Sequence, residues 1–494
     1  NGNYTLTADD FKAGTFTITA KPTTEDDVTT QAKVNDQSKI YGDKDPNFDL
    51  TYGEKLTAPA DLTNADFSFK DSDNNTVTGI PENVGTYTVS LNATGQAKVQ
   101  AANENYALTS DDFKTGTFTI TAKSTTPNDA TTEVTADSQT ITFGDTPKAF
   151  TATFGNKLNE VTLTNDDFTF TDGKTTVNGV PTNAGSYTIS LTTAAQNRIK
   201  AANPNYTFSV GDFKTGTFTI NPKATTGDDA TTQAKVNDQS KVYGDKDPNF
   251  DLTYGDNLTA PTDLTNADFS FTDSKGNAVK GVPENVGTYT ASLNATGQAK
   301  VQAANGNYAL TADDFKTGTF TITAKSTTPD DATTEVTPDS QTITFDDTPA
   351  DFTATFGDKL NKVTLSNDDF TFKNGTTTVT GVPTNAGSYE ISLTADAQAR
   401  IEAANPNYTF SAADFKTGIF TINPKATTAD DETTQVKVND YSIVYGDPTP
   451  TFNLSYGDKL TGATGLTNAD FSFTDSKGNA VSGIPENVGT YTVS

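Results

Sequence analysis

Asn83-Val84-Gly85-Thr86-Tyr87-Thr88-Val89-Ser90-Leu91 is the stretch that decides the fold. A turn set, Asn-Val-Gly, leads into strict alternation. Tyr87, Val89 and Leu91 point one way, and Thr86, Thr88 and Ser90 the other. That is a strand with one buried face. Moving outward, Phe48, Leu50 and Tyr52 alternate with Asp49 and Thr51, a second half-buried strand. Thr63 with Asp66 three residues on reads as a capped helical turn. Phe67 and Phe69 then begin a strand, and Asp71–Asn75 reads as a polar hairpin turn. Gly95–Asn103 holds good helix formers, with Ala97, Val99 and Ala102 expected to face a sheet. Thr115–Ala122 is the last strand, with Phe118 and Ile120 inward.

The unit repeats. Tyr41-Gly42-Asp43 returns as Phe143-Gly144-Asp145, Tyr243-Gly244-Asp245, Phe345-Asp346-Asp347 and Tyr445-Gly446-Asp447, at alternating spacings of 102 and 100 residues. Two module types therefore alternate. Type A covers 31–123 and 233–325, which are nearly identical, and type B covers 133–223 and 335–425. Residues 1–21 read as the end of a preceding module, and 435–494 as a truncated third A module, incomplete or poorly ordered. Nine-residue linkers lie between, at 22–30, 124–132, 224–232, 326–334 and 426–434. They are Thr-rich and acidic, with almost no large apolar side chain. They are expected to stay out of any core and either to run extended or to continue the flanking strands. The fold class is all-β with one short helix per module: a tandem array of small β-sandwich-like or β-grasp-like domains, forming an elongated, monomeric rod. The sandwich is favoured, because Tyr87, two residues after Gly85, sits as in a tyrosine corner, although Asn83 stands where Asp is usual.

Composition excludes several functions. The 494 residues include no Cys, His, Met or Trp. Without Cys and His there is no thiol nucleophile, no imidazole base and no common transition-metal site. A site copied along an array is a poor active site, so no catalytic residue is assigned and the chain is not expected to be an enzyme. The net charge of −29 works against binding nucleic acid or inserting into anionic membrane. No stretch approaches the length of a membrane span.

The run Tyr41-Gly42-Asp43 through Pro46, Phe48, Tyr52-Gly53, Gly79 to Pro81, Asn83-Val84-Gly85-Thr86-Tyr87, Asn105-Tyr106 and Gly116-Thr117-Phe118-Thr119-Ile120 resembles MBG domains of the YGX type. Such domains recur in large surface adhesins, often of lactic acid bacteria, beside mucus-binding repeats. The resemblance covers every module, with Asp346 departing from the turn Gly. It implies an extracellular, wall-attached protein of a Gram-positive bacterium. Its repeats would serve as a stalk that projects a binding domain, or would bind mucin or other host glycans directly. It supplies no ligand site and no cofactor.

Some individual residues invite chemistry. Asp43 and Asp45 in one turn, and Asp71 and Asp73 in another, are the candidates for calcium. The plainer reading is a polar hairpin, because no Gly or bidentate Glu completes a calcium loop and Lys275 enters the equivalent turn. The Lys after Asp-Phe, at Lys12, Lys114, Lys214, Lys316 and Lys416, could enter an isopeptide bond, although its neighbouring Gly suggests an exposed turn. Tyr52, Tyr87 and Tyr106 read as core or turn residues rather than as sugar-stacking platforms.

Overall fold

The computed structural model describes residues 2–494, so Asn1, the first residue of the leading segment, lies outside them. The chain divides into two compact units. The first comprises Asn1–Lys235, Leu252–Leu264 and Leu293–Lys316, and the second Val236–Asp251, Thr265–Ser292 and Thr317–Ser494. The first complete module lies wholly in the first unit and sets the pattern.

Its strands are β1 (Ala32–Val34), β2 (Gln37–Ile40), β3 (Leu50–Tyr52), β4 (Phe67–Lys70), β5 (Thr76–Val77) and β6 (Gly85–Leu91). Helix α1 (Ala93–Ala102) follows, then β7 (Tyr106–Ala107), β8 (Phe113–Lys114) and β9 (Gly116–Thr121). Five strands form a mixed sheet in the order β2-β9-β6-β4-β5. The pair β2 and β9 is parallel, Gln37 to Ile40 against Phe118 to Thr121, and the other pairs are antiparallel. A smaller sheet runs β3-β1-β8, with β1 antiparallel to β3 and parallel to β8.

Alternation explains which side chains go inside. Tyr87, Val89 and Leu91 of β6, Phe118 and Ile120 of β9, and Phe67 and Phe69 of β4 are buried together with Ala32 and Val34 of the small sheet. Phe48 lies between them, its ring 5.0 Å from that of Phe69 and 5.1 Å from that of Phe118, edge to face. Each such buried ring contributes about 2–3 kcal/mol. The two sheets approach closely at Gly116, where a Cβ would lie 2.5 Å from the Val34 carbonyl oxygen. The layers are thus those of a small sandwich, with α1 covering part of the core.

The capped turn forms at Asn64–Asp66, where Asp66 Oδ2 accepts from the Thr63 N–H at 2.8 Å. Lys98 Nζ, 2.9 Å from the same oxygen, holds this carboxyl below its ordinary range despite burial. Helix α1 starts at an Asn92 cap that accepts from Gly95 N–H at 3.0 Å. Its buried row is Gly95, Val99 and Asn103, spaced by four residues. The expected Ala97 and Ala102 are exposed. Once Val99 is the anchor, the residues four before and four after it share its face, and Ala97 lies on the opposite one. Gly95 is small for a reason: a Cβ there would stand 2.6 Å from the Asp66 carbonyl oxygen.

The second module repeats both sheets. In the second unit, 335–425 repeats the five-stranded sheet around Phe352, Phe372, Ile391 and Phe420. Its Asp346 takes a left-handed φ of 78° where Gly144 has 92°. Residues 435–494 form only a two-stranded and a three-stranded sheet. Ile443, Val444 and Tyr445 are exposed there. In the leading segment Phe16 and Ile18 are likewise exposed.

Candidate functional site

Among the calcium candidates, the carboxylates of Asp45 and Asp71 bond to the protein, and Asp43 and Asp73 give backbone N–H groups to their turns. Asp45 accepts from Lys39 Nζ at 2.5 Å, and Lys39 is largely buried. Asp43 donates its N–H to the Ile40 carbonyl, closing the turn. Asp71 accepts from Asn75 N–H at 2.8 Å, Asp73 N–H at 3.0 Å and the Asn75 amide at 3.1 Å. The Asn75 bonds foremost hold its carboxyl below the usual range. Among the described residues, no group of three or more Asp or Glu side chains is arranged to hold a metal ion.

In the type B modules the recurring lysine is tied to the preceding linker. In the second module Lys214 Nζ lies 3.3 Å from Glu133 Oε1 and donates to Asn128 Oδ1 at 3.0 Å. In the fourth, Lys416 Nζ lies 3.0 Å from Glu335 and 2.9 Å from Asp330. Asn128 and Asp330 belong to linkers, so these ion and amide contacts fasten a linker to its following module. Type A has Gln31 and Gln233 where type B has these glutamates, and their amides bond the linker backbone at Glu25 and Gly227 instead.

The main repeated construction is the junction between modules. After β9 the chain enters β10 (Lys123–Ser124), which pairs in parallel with Tyr206–Thr207 of the next module. Lys123 N–H donates to the Asn205 carbonyl at 3.0 Å. One residue past β10, Thr125 Oγ1 donates to Asp212 Oδ2 at 2.5 Å. The same strand pairs and hydroxyl–carboxylate bonds join Thr23 to Asp112, Thr225 to Asp314 and Thr327 to Asp414. All four receiving aspartates are completely buried, and each leaves Oδ1 without a partner. The upstream module is tied as well. Asn205 accepts from Val84 N–H at 2.8 Å and donates to Asn83 Oδ1 at 3.0 Å. Asn307 and Asn407 do the same to Ala184 with Asn183, and to Val286 with Asn285. The linkers also reach inside: Thr30, Thr132, Thr232 and Thr334 are buried. The expectation that linkers stay out of any core fails at these small residues, whose hydroxyls bond the backbone one turn earlier.

The tyrosines divide into two sets. Tyr87, Tyr187, Tyr289 and Tyr389 donate their hydroxyls at 2.8 Å to the carbonyls of Asn83, Asn183, Asn285 and Asn385, the tyrosine-corner bond. The Tyr106 equivalents serve the junction. Tyr206 meets Tyr41 edge to face at 5.5 Å, Tyr408 meets Tyr243 at 5.5 Å, and Tyr308 meets Phe143 at 5.4 Å. Burial foremost, then the Tyr41 phenol, pushes the Tyr206 hydroxyl above its ordinary range. The junction roles of Asn205 and Tyr206 escaped the sequence reading. The recurring Asn-Tyr pair was the available signal.

No helix among the described residues is long and apolar enough to cross a membrane. A comparison with curated proteins returned no match. Among solved structures, a cell surface adhesin from Lactobacillus reuteri is 30% identical, over 19% of this chain and 100% of its own, with a TM-score of 0.15. Immunoglobulin domains 1–4 of Sidekick-1 are 8% identical over 73% of this chain and 90% of theirs, with a TM-score of 0.18. The insect immune protein hemolin is 10% identical over 80% and 100%, with a TM-score of 0.18. The MBG domain profile matches residues 28–122, 123–222, 230–324 and 332–424 in tandem. Four modules in a row, over most of its length, place this chain in the MBG domain family.

Proposed function

We propose that the chain is the repeat region of an extracellular adhesin and acts as a spacer that carries a binding domain away from the cell wall. MBG membership supports the adhesin repeat. The repeated junction supports the spacer, because a spacer needs successive modules held in a defined relation. Each junction between complete modules supplies a parallel strand pair, a Thr hydroxyl on a buried carboxylate and an Asn bridge. Exposed polar contacts alone would contribute little to such holding. Bonds to desolvated carboxylates contribute more. The test is length dependence. A binder displayed at the end of the array is expected to capture its target less well as whole A–B pairs are removed. Capture that is indifferent to module number would overturn the spacer reading.

A further inference from the structure

The junction between the second and third modules differs from the A-to-B junctions at several places, and three of the differences bear on how open it is. At the A-to-B junctions the downstream Tyr meets a second phenol edge to face: Tyr206 meets Tyr41 and Tyr408 meets Tyr243. Here the upstream residue is Phe143, which sets a ring without a hydroxyl against Tyr308. Lys157 and Lys359 stand beside the other two junctions, and the equivalent residue here is Asn257. Pro204 and Pro406 precede the bridging Asn at those junctions, and here Gly306 does. The first A module is no guide to this opening. It carries Lys55 and Glu104 at these last two places, among the few at which it differs from the second A module.

The result is a groove of about 330 Å³ lined by Asn183, Asn257, Thr259, Asn305, Gly306 and Tyr308, with Ala184, Ala304 and Asn307 completing it. No charged side chain lines it, on a chain whose net charge is −29. Its wall is fixed. Asn305 is buried, accepts from Thr259 N–H at 2.6 Å and donates to the Thr259 and Val301 carbonyls. Asn307 is held by Ala184 and Asn183. The Asn257 amide nitrogen is spent on Thr231, which leaves its Oδ1 available. The groove thus offers an amide N–H of Asn183, the acceptor of Asn257, a phenol O–H and a threonine hydroxyl around one concave, uncharged space.

We propose that this groove is a binding site for a neutral saccharide of one or two sugar units. The volume lies at the small end of ligand sites. Amides and hydroxyls that both donate and accept match the paired hydroxyls of a sugar, which also do both. A lining of mostly polar side chains suits a sugar better than a lipid. The absence of a cation, together with the surrounding negative field, disfavours acidic sugars. The proposal stands apart from the spacer reading, since an array can hold its modules in place and still carry such a site.

The experiment is saturation-transfer NMR on the whole chain with lactose, cellobiose and N-acetyllactosamine as neutral probes, and sialylated lactose as the anionic one. Transfer to at least one neutral probe is expected, with a Kd on the order of 1 mM. The triple variant F143Y/N257K/G306E installs residues that other modules already carry at these positions, so it keeps the fold. It should weaken binding by about tenfold or more. No transfer to any neutral probe, equal transfer in the variant, or equal transfer to the sialylated probe would each overturn the proposal.

Discussion

Replacing Thr125 by Val removes one hydroxyl and leaves the side-chain shape nearly unchanged. That hydroxyl lies 2.5 Å from Asp212 Oδ2 and 3.1 Å from the Thr207 carbonyl oxygen. Asp212 is fully buried, and its Oδ2 otherwise receives only the Ser209 backbone N–H and hydroxyl. A hydrogen bond to a charged group contributes about 1.5–3 kcal/mol, and a desolvated oxygen cannot turn to water for a substitute. The expected loss is therefore about 2 kcal/mol, close to a 30-fold rise in junction opening. Hydrogen exchange of the whole chain, read by mass spectrometry on peptides, localises it. Exchange should accelerate in 123–132 and 206–214, where Lys123 N–H bonds Asn205. Protection of 185–191, the second module's equivalent of β6, should hold. Acceleration below about threefold at the junction, or equal acceleration throughout the module, would refute the latch.

Three further outcomes follow from the same geometry. Asp346→Gly relieves a left-handed residue and gives up only an exposed pair with Lys425 at 3.7 Å. It should stabilise its module by about 1 kcal/mol, a rise of about 4–8 °C in one calorimetric transition, and an unchanged transition would count against strain there. Gly116→Ala sets a methyl 2.5 Å from a backbone oxygen that cannot move aside. A loss of about 2–4 kcal/mol in urea unfolding is expected, and wild-type stability would show that the sheets are not this close. Asp66 and Asp167 are held below the usual carboxylate range, each foremost by its bond to Lys98 or Arg198. A depressed carboxyl contributes stability that is full above the unfolded value near 4 and is lost as pH falls through the lower folded value. Thermal melts should then stay level from neutral pH to about 4 and fall only below it, so a fall already between about pH 6 and 5 would contradict these pairings.

Much of the module was legible because its signals are local. Period-two alternation gave β6 and β9, the Thr63 and Asp66 spacing gave a capped turn, and Gly85 with Tyr87 gave the corner bond. The helix was legible as a helix, but its buried row was not, because alanines fit either face and only the docking of Val99 chooses one. The junction was illegible for a different reason. Thr125 and Asp212 stand 87 residues apart, and the linker's lack of apolar residues hid a polar attachment. The Asp71 hairpin and a cation loop read alike in sequence, because turn N–H groups and cations both call for acidic residues. Phe143, Asn257 and Gly306 match no motif and stand out only against the equivalent residues of the other junctions.

The parallel pairing of β2 with β9 has a mechanical consequence. The chain enters each complete module ahead of β2 and leaves it after β9, so tension applied at the two ends drags these strands lengthwise past each other. The bonds from Gln37–Ile40 to Phe118–Thr121 are then strained together, and none can peel open ahead of the rest. The small sheet is built alike, with β1 parallel to β8. A cell tethered through such modules under flow would pull each one in shear, the direction in which a few short strands resist longest.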